Sequence, residues 1–436
     1  MMKKNRTIYF LLALVCLGLQ SCLFQEEDYF DDSSANRATA DVKRCSELLE
    51  AAPNGWVMEY YVGKDYSLGG ITLLCKFDGQ RVTMASQIAG ADETVSSLYS
   101  VKSEQATMLS FDTYNYLVHY FGQPQGSMAD DPNGTLGGDY EFVISDATAD
   151  RIELKGKKYG NRIVMKAFSA DQTWKQYLTR IKKVEDDAFF YEYDLLMDGL
   201  YTGQMLRSNY TFIVTYYDEI GKVHQKTVPF MFTADGLRFH EPVTIDGQTM
   251  QNFVWKNEEI SFVCTDEGAT GVKMKGIYID GYQSYDYYPG TYLMDFYRLN
   301  GATNQLEVAS QEIQLVKNED GKSYWLKGLE YDILVTYDKP RGGLSILPQF
   351  LKKVQGGYVY LAMWDLMNDY VLRSSAIGLI SYPTTDGIYL VDNGVWMGEI
   401  SGFIFGVYDS QDEEASFMGY TDAVAAIRLI KKTIEE

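Results

Sequence analysis

The sequence predicts a mainly β protein, a β-rich α+β chain of two antiparallel sandwich or barrel-like domains with a few peripheral helices. Three observations predict it. Tyrosine is abundant, at 35 residues, and proline scarce, at 9, a balance that favours half-buried strands. Short runs of alternating apolar and polar residues recur between turn signals. Two pairs of runs are joined by Asp-Gly (Asp78-Gly79 and Asp235-Gly236), a dipeptide that hairpin turns favour because their central residues take positive φ.

The elements follow in chain order. Lys3, Lys4 and Arg6 precede an apolar run over residues 8–19, the length of a signal-peptide core and too short for a stable span. Leu19-Gln20-Ser21-Cys22 ends it, so residues 1–21 read as a lipoprotein signal peptide and the Cys22 thiol as the site of lipidation. An ordinary secretory signal with a chance cysteine is the other reading. Residues 22–38 carry Glu26, Glu27, Asp28, Asp31 and Asp32 and read as a solvated acidic tether. An N-terminal β-rich domain is expected over 39–170 and a C-terminal one over 171–436.

Within the first domain, Val42, Cys45, Leu48 and Leu49 have helical spacing up to Asn54-Gly55. Strands are expected at 56–62, 71–77, 81–85, 99–101, 108–111, 140–144, 151–155 and 162–166, with a Gly/Pro/Asp-rich loop at 122–139. The order then begins again: an amphipathic helix at 171–184, a strand at 210–217 and an Asp-Gly hairpin at 228–240. That echo suggests a weak internal duplication. Further on, residues 276–297 suggest a tyrosine-rich, Gly/Pro-interrupted hairpin, 347–354 a short helix, 358–364 and 387–391 strands, and 423–434 a closing helix. Trp255, Trp325, Trp364 and Trp396 lie in strand-like runs and read as core.

Charge excludes one function class. The net charge of −21 becomes −24 once the three positive charges of the signal are removed. Such a surface repels nucleic acid. With Cys16 in the signal and Cys22 lipidated, Cys45, Cys75 and Cys264 remain, an odd number best read as buried free thiols.

Three segments carry a resemblance: Leu109-Ser110-Phe111-Asp112-Thr113-Tyr114-Asn115, Gly137-Gly138-Asp139-Tyr140-Glu141-Phe142, and Leu154-Lys155-Gly156-Lys157-Lys158-Tyr159-Gly160-Asn161. Together they resemble a lipoprotein family of the Bacteroidota known only as a domain of unknown function (number 4302). The resemblance implies a lipid-anchored outer-membrane lipoprotein, and the acidic cluster after Cys22, which resembles the export signal of such lipoproteins although a plain spacer explains it as well, points to the cell exterior. Its implied partners are a TonB-dependent transporter and a SusD-like protein. It brings no catalytic residues.

Chemical signatures are sparse. His119, His224 and His240 are the only histidines, and none has metal spacing. No cofactor motif is present and no metal is expected. Asp130, Asp131, Asn133 and Asp139 offer oxygen ligands that calcium could use, although a plain turn-rich loop explains them as well. Sixty acidic residues leave room for a two-carboxylate glycoside hydrolase, the alternative to a non-enzyme. The candidate ligand-binding residues are Tyr282, Tyr285, Tyr287 and Tyr288, because tyrosine combines an apolar face with a polar tip suited to glycans or peptides. The expected role is an accessory ligand-binding or scaffolding component of a SusCD-type nutrient uptake system.

Overall fold

In the computed structural model, residues 33–124, 134–218, 220–412 and 414–432 are described. The signal, Cys22 and most of the acidic tether lie outside the described residues. So do residues 125–133, and with them Asp130, Asp131 and Asn133 of the Gly/Pro/Asp-rich loop. The described residues are mainly β, with three α-helices. They divide into two compact units, one reaching to Lys182 and including Pro229–Ala234 and Arg238–Glu241, the other comprising the remainder.

Helix α1 (Ser34–Ala51) starts five residues before the domain boundary expected at 39. The Ser33 side chain accepts a hydrogen bond from the Asn36 N–H at 3.2 Å, satisfying a donor that the first turn leaves open, and this shortens the expected tether. Cys45 and Leu49, four residues apart, form its buried stripe. The helix ends at Pro53-Asn54-Gly55, where Gly55 takes φ +81°.

A closed barrel follows: β1 (Trp56–Tyr61), β2 (Gly70–Asp78), β3 (Arg81–Ser86), β4 (Val95–Ser103), β5 (Thr107–Phe111), β6 (Glu141–Ala147), β7 (Arg151–Gly156) and β8 (Arg162–Ala167). Each strand pairs with its sequence neighbour, and β1 returns to β8 through Trp56 opposite Ala167 and Met58 opposite Met165. Closure removes the sheet edges, and eight strands leave an interior that side chains can fill. Trp56, Met58, Tyr60, Leu73, Met84 and Leu154 fill it. The Trp56 indole N–H donates to the Leu49 carbonyl at 2.8 Å, tying α1 to the barrel.

The segments that carried the family resemblance act as fasteners here. The Asp139 carboxylate accepts the N–H groups of Lys158 (2.8 Å) and Tyr159 (3.1 Å), while its carbonyl accepts the Tyr60 hydroxyl at 2.8 Å. The buried Asn161 amide donates toward the carbonyls of Tyr61, Gly63 and Gly137. Asn115, also buried, accepts from the Leu117 N–H and donates to Ser97 Oγ. Short helix α2 (Tyr116–His119) begins at that cap.

The helix expected at 171–184 is α3 (Trp174–Asp187), with Leu178 and Ile181 fully buried. It leads into a second closed barrel of β9 (Glu192–Met197), β10 (Leu200–Ser208), β11 (Thr211–Tyr217), β12 (Val223–Phe232), β13 (Gly236–Ile245), β14 (Gln248–Lys256), β15 (Ser261–Cys264) and β16 (Val272–Ile277). Tyr193, Phe212, Phe230, Phe232 and Phe239 fill its interior. The echo in the sequence thus corresponds to a repeated layout, a helix followed by an eight-stranded meander.

The last 12 strands form one sheet: β17 (Gly290–Asn300), β18 (Gln305–Lys317), β19 (Ser323–Lys327), β20 (Ile333–Asp338), β21 (Gly343–Ile346), β22 (Gln349–Val354), β23 (Gly357–Asp365), β24 (Tyr370–Leu372), β25 (Leu379–Thr384), β26 (Gly387–Asp392), β27 (Gly402–Tyr408) and β28 (Phe417–Lys431). Pairing of β17 with β28 closes eight of them into a ring, and β27, β23 and β22 branch off β28. Two expected helices are strands instead: 347–354 contributes β22, and 423–434 falls largely on β28. In β28 the apolar residues face both ways. Val424, Ile427 and Leu429 join the main core, and Ala423 and Ala425 a smaller cluster with Trp364 and Ile404. Two-sided burial produces a continuous apolar run that mimics a buried helix. Of the four tryptophans read as core, only Trp364 is buried, and Trp325 is 36% exposed.

Cys45, Cys75 and Cys264 are buried free thiols. No helix among the described residues is long and apolar enough to cross a membrane.

Candidate functional site

The outer face of the β22–β23–β27–β28 branch presents a band of aromatic rings. Residues two apart on a strand share a face, so Tyr358 and Tyr360 point outward while Val359 and Leu361 enter the core. Register extends this across neighbouring strands. Phe350 on β22 lies opposite Tyr360, and Tyr358 lies opposite Tyr408 on β27, which in turn faces Phe417 on β28. Phe350 meets Tyr360 edge-on at 5.4 Å, Tyr360 meets Tyr408 at 5.7 Å, and Tyr408 meets Phe417 at 5.5 Å. Such tilted pairs add about 0.5–1.5 kcal/mol each beyond area burial. Gly406 makes the arrangement possible: a Cβ there would come within 2.9 Å of the Tyr408 ring and 3.1 Å of the Phe417 ring.

Cations sit on the band, Lys353 with its Nζ 5.3 Å from the Tyr358 ring centroid and Arg373 on two rings. The Arg373 guanidinium lies 4.2 Å from the Tyr408 ring centroid and 4.9 Å from that of Tyr360, and its Nη2 donates to the Asp412 carbonyl at 2.6 Å. Burial raises the Tyr408 hydroxyl's pKa, and the guanidinium opposes that shift. Phe350 and Phe417 each remain 45% exposed. Between these groups runs an open groove of about 690 Å³, whose polar lining includes Gln349, Ser374, Ser375 and Gln411. Flat apolar faces beside a few planar and hydroxyl hydrogen-bonding groups suit a ligand with a hydrophobic face and a polar rim.

The sequence-derived tyrosines occupy a different place. Residues 278–289 form a connection between β16 and β17, not a hairpin. Tyr288 is completely buried, and its hydroxyl donates to the Gly342 carbonyl at 2.8 Å. Tyr285 stacks on Tyr324 at 4.7 Å and donates to the Ser323 carbonyl at 2.8 Å. Tyr282 stacks on Phe189 at 5.9 Å and receives a 3.1 Å hydrogen bond from Tyr337. Tyr287 is 39% exposed, with Lys431 Nζ 5.0 Å from its ring centroid. The run therefore sews the second barrel to the last sheet, and of the four candidate tyrosines only Tyr287 counts as exposed. The groove was missed because 347–354 was assigned to a helix; the outward period-two pair Tyr358 and Tyr360 was its legible signal.

Other chemistry is already committed. His119 stacks on Tyr140 at 4.7 Å, His224 pairs with Asp218 at 2.9 Å, and His240 stacks on Tyr66 at 3.9 Å. Burial raises the Asp139 pKa, against the pull of its two backbone donors. Buried Asp365 accepts from Asn368 and from the Trp396 indole at 3.0 Å, contacts that hold its pKa down. Among the described residues no group of three or more His, Cys, Asp or Glu is placed to hold a metal ion.

Similar structures include intact Ap-TbpB with its N and C lobes, at 10% identity and TM-score 0.12, and a tryptophan-to-alanine mutant of the vaccine antigen transferrin binding protein B from Haemophilus parasuis, at 11% and 0.13. Each match covers 84% of this chain and 67% of the other, at scores too low to bear on fold or function. No curated protein matches the chain. Residues 265–404 match a second domain of unknown function, DUF4987. The match to the first spans residues 26–257, more than half of the chain, and the protein belongs to that family, the domain of unknown function DUF4302.

Proposed function

We propose that this protein is a lipid-anchored binding protein of the bacterial cell surface that captures a glycan in the Phe350–Phe417 groove. One observation carries the reading: exposed aromatic rings and a ring-held arginine line an open groove on a rigid sheet. Sugar rings offer apolar C–H faces for Phe350 and Phe417, while their hydroxyls match the Arg373, Ser374, Ser375 and Gln411 side chains that line the groove. The Leu19–Cys22 sequence supplies the anchor, and two or more acyl chains hold such a protein to its membrane. The family resemblance adds the setting, an outer-membrane SusCD-type uptake system in Bacteroidota, with a TonB-dependent transporter and a SusD-like protein as partners that receive the ligand.

Affinity gels containing neutral polysaccharides, run beside columns bearing peptide pools, test this reading. Retention by a polysaccharide that is lost in the Phe350→Ala/Phe417→Ala double variant supports it. Failure to be retained by any polysaccharide removes it, and retention by peptides alone moves the groove to peptide capture. Release of reducing sugar by the wild type would transfer the protein to the alternative, a carboxylate-based hydrolase. Palmitate labelling of the wild type against Cys22→Ser tests the anchor separately.

A further inference from the structure

A second feature of the last sheet is independent of the groove. Strand β18 pairs with β17 from Gln305 to Leu315, but its other side pairs with β19 only from Gln314 to Lys317. Among the described residues, positions 305–313 therefore have no strand on one edge, although the Gly328 backbone runs beside Glu312 and Ile313 at its far end and leaves 305–311 open. Natural edges are usually blunted by charged side chains, lysine above all, by proline or by a bulge; the charges here are Glu307 and Glu312, and Glu312 is paired with Lys432. The sequence Gln-Leu-Glu-Val-Ala-Ser-Gln-Glu-Ile contains neither lysine nor proline, and its pairing with β17 is unbroken.

This edge is also apolar on one face. Val308 is 78% exposed, and its cross-strand neighbour Tyr297 is 44% exposed. Tyr297 and Leu306 continue into an apolar pocket of about 490 Å³ that Met367, itself 81% exposed, and Val391 also line. Open main-chain groups beside a side-chain pocket are what an added strand requires, the first for affinity and the second for selection.

Charge selects the occupant. Glu307 lies on the edge, and Asp392 and Glu399 border the pocket. The nearby cations are engaged, Arg298 by Asp422 at 3.1 Å, Arg428 by Asp295 at 2.8 Å and Lys432 by Glu312. A second copy would bring two acidic edges together, each on a chain of net charge −21, and like charges opposed across strands are destabilising. We infer that the free edge of β18, with the Tyr297–Leu306–Met367 pocket, receives an extended segment of a partner protein in which basic and apolar residues alternate.

The test uses the mature chain and an end-capped eight-residue peptide alternating lysine and valine. Its controls replace lysine with glutamate, or the central residue with proline. Fluorescence anisotropy should show binding of the lysine peptide at least tenfold tighter than either control and weakening with salt. Hydrogen exchange should show new protection confined to amides 305–311. Val308→Lys, at an exposed position outside the groove, should reduce peptide binding at least tenfold while polysaccharide retention and the unfolding midpoint stay unchanged. Equal binding of the lysine and glutamate peptides overturns the inference. So does unchanged protection of 305–311, an unaffected Val308→Lys variant, or a sedimentation-detected dimer joined through this edge.

Discussion

In the first barrel Asp139, Asn161 and Tyr60 are polar groups turned inward and held by main-chain partners, whereas in the last sheet Phe350, Tyr360 and Phe417 are aromatic rings turned outward. Both regions are antiparallel sheet, and both contain segments that stand out in the sequence. The difference lies in closure. Eight strands returning on themselves leave the barrel no edge, so its unusual residues seal the end loops against the cost of unpaired buried carbonyls. The branch of β22, β23 and β27 has an outer face that only the small Trp364–Ile404 cluster covers in part, and rings beyond that cluster stay open. Conspicuous polar motifs mark the fasteners here, and an inconspicuous alternation marks the candidate site.

Asn161→Ala should separate the two regions most strongly. It removes the donor shared by three buried carbonyls, and at about 1–3 kcal/mol per unsatisfied buried group the loss of stability should reach about 3 kcal/mol. Denaturant unfolding followed by Trp56 fluorescence measures it, and groove binding should be unaffected wherever the variant is folded. The Phe350→Ala/Phe417→Ala pair should act mainly on binding. Losing two stacking faces at about 1 kcal/mol each should weaken polysaccharide retention about thirtyfold, and stability should fall by about 1–3 kcal/mol through the two lost ring pairs, leaving the variant folded at room temperature. A stable double variant that still binds normally would detach the groove from function.

Much of this was legible in the sequence, and the misses have physical causes. Asp78-Gly79 marked its hairpin because the turn needs positive φ, which Gly79 takes at +59°, whereas Gly236 is already the first residue of β13, where a Cβ would collide with the Phe253 carbonyl; strands whose two faces differ announced themselves by period two. Segment 347–354 misled because Leu351 and Val354 face the core while Phe350 faces the groove, and together they imitate helical spacing. The 423–434 run misled through its alanines, which favour a helix locally. Tertiary context overrides that preference: Ala423 and Ala425 pack in the small cluster with Trp364, and Ala426 takes φ +51° at an irregularity in the pairing. The tyrosine run was visible as a cluster, but composition cannot say which rings are covered. Coverage of Tyr285 and Tyr288 comes from Tyr324 and Tyr337, contributed by strands far along the chain.

Tyr288→Phe sharpens that last distinction. It should cost about 1 kcal/mol by leaving the buried Gly342 carbonyl without its hydroxyl donor, and polysaccharide retention should not change. A retention defect at wild-type stability would return the site to the tyrosine connection.

The smallest expected effect separates the regions by pH. Asp295 accepts from Arg428 at 2.8 Å and from Ser310 at 2.6 Å, and these contacts, Arg428 first, hold its pKa below the usual carboxylate value. A depressed folded-state pKa contributes stability that is present above the unfolded value of about 3.9 and lost as pH falls through the folded one. Asp139 has the opposite sign: burial raises its pKa, so its contribution is complete below the unfolded value and lost as pH rises through the folded one. The stability difference between wild type and Asp295→Asn should hold from pH 7 to 5 and shrink progressively as pH falls below the unfolded value of about 3.9. Because the pair is partly solvated, the midpoint should move by no more than about a degree or two. A difference that persists undiminished at pH 3 would mean that Asp295 acts through its shape rather than its charge.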